Sequence, residues 1–279
     1  MKRNVCLSVL NVSLMLIIMP IAQLTAAQSN FQLSPPPVPW FEFDRGDKDL
    51  KVGATAIYLK GENQEGISGD IEVYGGGING FYRYAFRDIF AIDFGGAIVT
   101  AYGDVGNDAT MTLWLLSIPV DLEFQAIRND KFVLILFGGF NFTWNYIGID
   151  YDDGTTTAEL DIRTNMRGPQ GGAQLSFKLN DFVLTPFIMF MKLSGTASID
   201  YSDNTPTSYS DDVTTTSPTA TLYGIDVIYQ PWNITLSSLV QQVSSSGDNK
   251  GFTTYIFSLN YCFHWPAVNS ETIGAEETQ

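Results

Sequence analysis

The chain has little of what catalytic and secreted proteins usually depend on. Among 279 residues there is one histidine, His264, and there are two cysteines, Cys6 and Cys262. Cys6 lies in an N-terminal apolar run, so Cys262 stands alone in the remainder of the chain. That excludes an intrachain disulfide and a cysteine-rich metal site. Cationic charge is scarce as well, with fifteen Lys and Arg against thirty Asp and Glu and a formal net charge of −15. Phosphate recognition needs concentrated positive charge, so this balance argues against a nucleic-acid partner. No residue pattern calls for a cofactor. The glycine clusters Gly75-Gly76-Gly77 and Gly171-Gly172 lie within or beside strand patterns, and no helix comes after them to make a phosphate cradle. With 16% charged residues, 13% aromatics and a mean hydropathy of +0.04, the composition is not that of a disordered chain.

A short cationic start, Met1-Lys2-Arg3-Asn4, precedes an almost wholly apolar run from Val5 to Ile21 and the small residues Thr25-Ala26-Ala27. This order predicts a secretory signal peptide over 1–27, with an uncleaved anchor as the alternative. No cysteine comes directly after the run, which argues against a lipoprotein. Without those residues 252 remain, and loss of Lys2 and Arg3 brings the net charge near −17. No later apolar run reaches the ~18 residues of a helical span, so the mature part is either soluble or a barrel.

What the mature chain does have is alternation. From Phe132 to Tyr146 the even positions are Phe132, Leu134, Leu136, Gly138, Phe140, Phe142, Trp144 and Tyr146. The odd positions pass from Val133, Ile135 and Phe137 to Gly139, Asn141, Thr143 and Asn145. Thr253, Tyr255, Phe257, Leu259, Tyr261, Phe263 and Trp265 form one face of a last strand, and Thr112 to Phe124 repeats the logic. A period of two is the strand signature. These runs exceed ten residues, long enough to cross a bilayer at a tilt.

Ten strands are predicted, near 50–60, 71–86, 89–102, 110–127, 132–149, 159–179, 182–199, 219–229, 234–243 and 252–265. Short connections (Arg87-Asp88, Arg128 to Lys131, Asn180-Asp181, Gln230 to Asn233) alternate with long ones near 61–70, 103–109, 150–158, 200–218 and 244–251. Both chain ends fall on the short-turn side. The expectation is an all-β, ten-stranded antiparallel transmembrane barrel in up-and-down order, because only a closed sheet pairs every backbone group inside hydrocarbon. Residues 28–49, with Pro35-Pro36-Pro37 and Pro39, are expected to form a periplasmic leader. Residues 50–265 form the barrel and 266–279 a polar tail. Aromatics collect at strand ends, as at a membrane interface: Tyr82, Tyr84, Phe86, Phe90 and Trp232 on one side, Tyr58, Tyr102, Trp144 and Tyr146 on the other.

On this layout the chain resembles the bacterial outer-membrane β-barrel proteins over about residues 48–265. The resemblance implies residence in the bacterial outer membrane, with lipid and lipopolysaccharide around the wall. It also implies insertion by the barrel assembly machinery, which reads a C-terminal aromatic. Tyr261, Phe263 and Trp265 match that signal, although Pro266 and a polar tail come after them. Class members that are surface proteases use an Asp/His arrangement near the outer loops, and lipid hydrolases a Ser/His pair in the outer half. His264 lies at the opposite end, so no catalytic residues are assigned and a non-enzyme is expected.

Two sets of residues remain as candidates. A first turn centred on Asp88 makes Arg83 and Asp93 inward cross-strand partners, with Asp121 and Glu123 at similar depth. This cluster reads either as the constriction of a narrow pore or as a polar plug, with Arg163, Arg167, Lys178, Lys192 and Asp226 as possible extensions. The acidic long loops form the second set. Asp150, Asp152 and Asp153 offer oxygens for a divalent cation but lack the glutamate of an EF-hand, and Asp200, Asp203, Asp211 and Asp212 sit in another loop. The expected role is structural or porin-like. The rivals are an adhesin or receptor acting through loop 200–218, with its external ligand unknown, an outer-membrane hydrolase, and a soluble calycin-like barrel.

Overall fold

The computed structural model describes residues 42–61, 71–105, 109–152, 154, 157–203, 208–216, 219–243 and 253–266. The expected signal peptide, the leader up to Phe41, several loop tips and the tail from residue 267 onward lie outside the described residues. Twelve strands succeed one another in chain order: β1 (Lys48–Gly61), β2 (Ile71–Arg87), β3 (Phe90–Val105), β4 (Ala109–Arg128), β5 (Phe132–Asp152) and β6 (Thr157–Leu179). Then come β7 (Phe182–Met191), β8 (Ser194–Asp203), β9 (Ser208–Thr216), β10 (Ala220–Tyr229), β11 (Ile234–Val243) and β12 (Thr253–Trp265). Among the described residues the only helical piece is a 3-10 turn over Gln230–Trp232, which carries the chain from β10 to β11.

Ten of these strands close into an antiparallel barrel in meander order. Neighbours pair successively from β1 to β7, then β7 with β10, β10 with β11, β11 with β12, and β12 returns to β1. The hydrogen-bonded row that leaves β1 at Lys48 passes Tyr84, Ile92, Leu122, Gly138, Gly171, Phe190, Thr221, Gln242 and Thr253 and re-enters β1 at Lys60, a shear of twelve residues. With strand spacings of ~4.8 Å and rises of ~3.3 Å, that shear fixes a tilt of about 40° and a backbone radius of about 10 Å. Side chains can fill a cylinder of that width.

The remaining two strands correct the sequence reading of 182–199 as one strand, which breaks after Met191, and of 200–218 as a loop. The upper part of β6 pairs with β8, from Ala158↔Asp203 to Arg167↔Ser194, and β8 pairs in turn with β9 from Ser194↔Thr216 to Ser202↔Ser208. A paired hairpin therefore rises beyond the barrel in place of the expected unpaired loop. Residues 200–218 escape the alternation test because they are mostly Ser, Thr and Asp, although Ala197, Ile199 and Tyr201 of β8 turn toward the apolar interior. The connection at 150–158 is also shorter than expected, since β5 runs to Asp152 and β6 begins at Thr157. At the other end β1 starts at Lys48, so Lys48 and Asp49 are wall residues and not leader.

The two faces of the wall differ as the alternation requires. Outward residues include Ile78, Leu236, Phe257 and Leu259, each more than half exposed. A continuous apolar exterior of this kind suits lipid and not water. Aromatic pairs ring the short-turn end, among them Phe90–Phe124, Phe182–Tyr229 and Phe263–Trp265, while Tyr58 stacks on Tyr74 and Tyr255 toward the long loops. Inside, the half nearer the long loops is packed with apolar side chains, including Ile57, Leu59, Val99, Leu113, Ile147 and Ile162.

Candidate functional site

The polar site lies inside the barrel, toward the short turns, and a single hydrogen-bonding row builds most of it. Register places His264 opposite Asp49, Asp49 opposite Arg83, Arg83 opposite Asp93, Asp93 opposite Asp121, Asp121 opposite Gly139 and Gly139 opposite Gln170. Side chains of one row share a face of the sheet. The shape of the cluster is therefore set by pairing register and not by sequence proximity.

Arg83 is its centre and is wholly buried. Its Nε donates to Oδ2 of Asp49 at 2.7 Å, Nη2 reaches the same oxygen at 2.5 Å, and Nη1 donates to Oε2 of Glu123 at 3.4 Å. The other carboxylate oxygen of Asp49 lies 2.7 Å from Nδ1 of His264. Farther along the row Gln170 donates to Asp121 at 2.6 Å, and Asn141 donates to Gln170 at 3.2 Å. Gly139 makes room here, since a β-carbon on it would sit 2.6 Å from Oδ1 of Asp121. Across the lumen Lys51 and Asp226, both fully buried, pair at 3.5 Å.

Charges this deep persist only when partnered, because desolvation outweighs any unpaired interaction. Arg83, Asp93, Asp121 and Glu123 are thus brought into one layer, and Asp226 joins it through Lys51. The four other cations considered as extensions do not. Arg163, Arg167, Lys178 and Lys192 are all exposed on the outside or at a turn. Strand parity is the reason: in the upper part of β6 the even positions, such as Ile162, Thr164 and Met166, face inward, and Lys192 lies in the break between β7 and β8.

The short-turn mouth is closed by residues that the sequence assigns to the leader. The Phe43 ring is buried among Ala85, Ala91, Val133, Ile135, Val183 and Ile228, with the Arg83 guanidinium 5.0 Å from its centroid. Gln125 clasps its backbone, its Oε1 accepting from Phe43 N at 3.3 Å and its Nε2 donating to Phe43 O at 3.4 Å. Arg128 donates to Glu42 at 2.8 Å and to Asp44 at 2.5 and 3.2 Å. These bonds hold the Asp44 carboxyl below its ordinary range. Gly46 N donates to Ala85 O at 2.6 Å and Ala85 N to Asp47 O at 3.0 Å, so the strap also extends the pairing of β2.

Of the second candidate set, Asp150 and Asp152 fall within the described residues. Asp150 and Asp152 are exposed on β5, Asp150 opposite Thr110 and Glu159, and Asp152 accepts from Gly154 N at 2.8 Å. Asp153 lies outside the described residues. Among the described residues no three His, Cys, Asp or Glu side chains converge as metal ligands.

Closed meander topology, a tilt near 40° and an apolar exterior define a membrane-type β-barrel of the broad outer-membrane class. No protein-family model matches the chain, and no curated protein matches it. Solved structures do. The outer membrane protease OmpT from Escherichia coli is similar over 82% of this chain and 99% of its own, with a TM-score of 0.51 and 12% identity. The translocator domain of the autotransporter NalP from Neisseria meningitidis is similar over 78% of this chain and 90% of its own, with a TM-score of 0.50 and 11% identity. At such identities the likeness is one of fold.

Proposed function

We propose that this chain is an integral protein of a bacterial outer membrane, in which a sealed, non-catalytic barrel acts as a structural scaffold. Its short turns face the periplasm, and the β8–β9 hairpin and acidic rim face outward. The observation that carries this reading is the filled lumen: Arg83, Lys51 and Asp226 are all fully buried at one level, beneath an apolar plug and above Phe43. A water-filled pore would leave such side chains hydrated. The non-catalytic part is supported by the position of the sole histidine, paired to Asp49 at the short-turn end.

Planar-bilayer recording tests the proposal. The wild-type barrel is expected to give no discrete current steps. Reproducible steps whose ion selectivity changes with Arg83→Ala would replace the plug with a constriction, the porin-like alternative. A receptor or adhesin role is favoured by one observation, the paired hairpin over residues 194–216, which offers a stiff contact surface beyond the rim. Deleting that hairpin should then abolish binding to cells or matrix while the barrel keeps its heat-resistant folding.

A further inference from the structure

A groove of about 410 Å³ lies on the outside of the wall at the long-loop end, where β4, β5, β6, β8 and β9 run side by side. It falls within the ~300–1,000 Å³ range of small-molecule sites. Two neighbouring rows line it. One runs Trp114, Tyr146, Arg163, Ser198, Asp212 across all five strands, and the other runs Trp144, Asn165, Thr196. The aromatic end stands at the upper girdle of the wall, and the polar end continues onto the hairpin above it.

The chemistry of this lining is selective. An acyl chain would leave the amide, hydroxyl, guanidinium and carboxylate groups of the polar end unsatisfied. A phosphate would meet carboxylates: Arg163 is flanked by Asp161 and Asp200, each at 3.7 Å, with Asp212 farther along the same row. The three acids outnumber the one cation, so an anion is repelled. A neutral polyhydroxylated ring fits both ends. Its C–H faces lie against the electron-rich faces of Trp114 and Trp144, while its hydroxyls alternate between the donors and acceptors of Arg163, Asn165, Thr196 and Asp212. The Tyr146 hydroxyl donates to Asp161 at 2.7 Å, which fixes its ring in the wall of the groove.

We infer that this groove is a binding site for neutral saccharide, supplied either by a glycolipid of the same leaflet or by a free glycan. The inference rests on the outer-membrane reading, which puts the groove at headgroup level, and adds a ligand class that the scaffold role does not require.

The test uses the full barrel in nanodiscs of phosphatidylcholine alone, and in others doped with monogalactosyldiacylglycerol. Tryptophan emission is followed during titration with maltohexaose, chitohexaose or inositol hexaphosphate. A saturable response to a neutral hexasaccharide in the plain discs supports a free glycan, and a response confined to the galactolipid discs supports a membrane source. In either case Trp144→Ala and Asp212→Asn should weaken binding about tenfold or more, and Trp232→Phe, at the opposite end, should leave it unchanged. Heat-modifiable migration verifies that each variant is folded. An inserted, folded barrel that ignores every sugar would overturn the inference alone. So would one that prefers inositol hexaphosphate and loses it on Arg163→Gln, or one whose sugar response survives both groove substitutions. A barrel that fails to insert would overturn the membrane reading as well.

Discussion

Replacing Arg83 by alanine removes the partner of two buried acids at once. Asp49 and Glu123 are each almost or wholly buried, and Arg83 reaches them at 2.5 to 3.4 Å. Breaking a buried pair from one side costs about 3–5 kcal/mol, because the surviving charge stays desolvated. Loss of the cation over Phe43 adds roughly 1 kcal/mol. The expected destabilisation is therefore about 4–6 kcal/mol, a large share of the stability of most domains. Equilibrium urea unfolding in phospholipid vesicles, followed by tryptophan emission and by heat-modifiable migration, measures it. The triple substitution Arg83→Met, Asp49→Asn and Glu123→Gln removes the cation together with both acids it partners and should recover about 2 kcal/mol or more, because none of the three is left as an unpaired ion. A loss below about 1 kcal/mol for Arg83→Ala, the scale of an exposed ion pair, would refute the reasoning and mean that water reaches this layer.

Three further outcomes are expected of the same interior. Cys262 is 1% exposed and faces the lumen, so in a Cys6→Ser background a charged methanethiosulfonate should leave it unmodified in the folded barrel and label it fully after boiling; mass spectrometry reads the difference. Phe43→Ala should cost about 3–5 kcal/mol by the cavity rule and speed tryptic cleavage at Arg45, whereas a change confined to cleavage would show that the strap is uncoupled from the barrel. The strap should also loosen in acid. Because Arg128 holds the Asp44 carboxyl below 3.8, its contribution is present above that pH and is lost as pH falls through the lowered folded value. Protection of the Phe43 amide against hydrogen exchange, relative to its intrinsic rate at each pH, should fall there, and Arg128→Gln should lower that protection at neutral pH and flatten its fall in acid.

The wall is legible in the sequence because lipid outside and packed side chains inside impose a strict period of two. Runs such as Phe132 to Tyr146 declare their outward face without help from the fold. Features with no such contrast are not legible. In the β8–β9 hairpin, β8 turns apolar residues inward at Ala197, Ile199 and Tyr201, and beyond them the hairpin is mostly Ser, Thr and Asp, so residues 200–218 read as loop. Upper β6 alternates, but in the opposite sense to the lower wall: its inward face carries Leu160, Ile162 and Met166 and its outward face is polar, so Arg163 and Arg167 read as lumen residues only on the assumption that a polar face points inward. Asp49 escapes notice for a different reason. Its partnership with Arg83 depends on the register across loop 61–70, and a loop of that length hides the register, whereas the tight turn at Asp88 reveals it for Arg83 and Asp93. Phe43 belongs to no strand, and periodicity carries no signal for it.

Asp49 belongs to the first strand, Arg83 to the second and His264 to the last, so the ionic knot straddles the seam where the cylinder zips shut. Until β12 docks on β1, Asp49 has no histidine beside it and the lumen stays open to solvent along that edge. Completion of the interior is thereby coupled to completion of the wall, and a half-built sheet lacks both the histidine contact and the enclosure that strengthens its ion pairs.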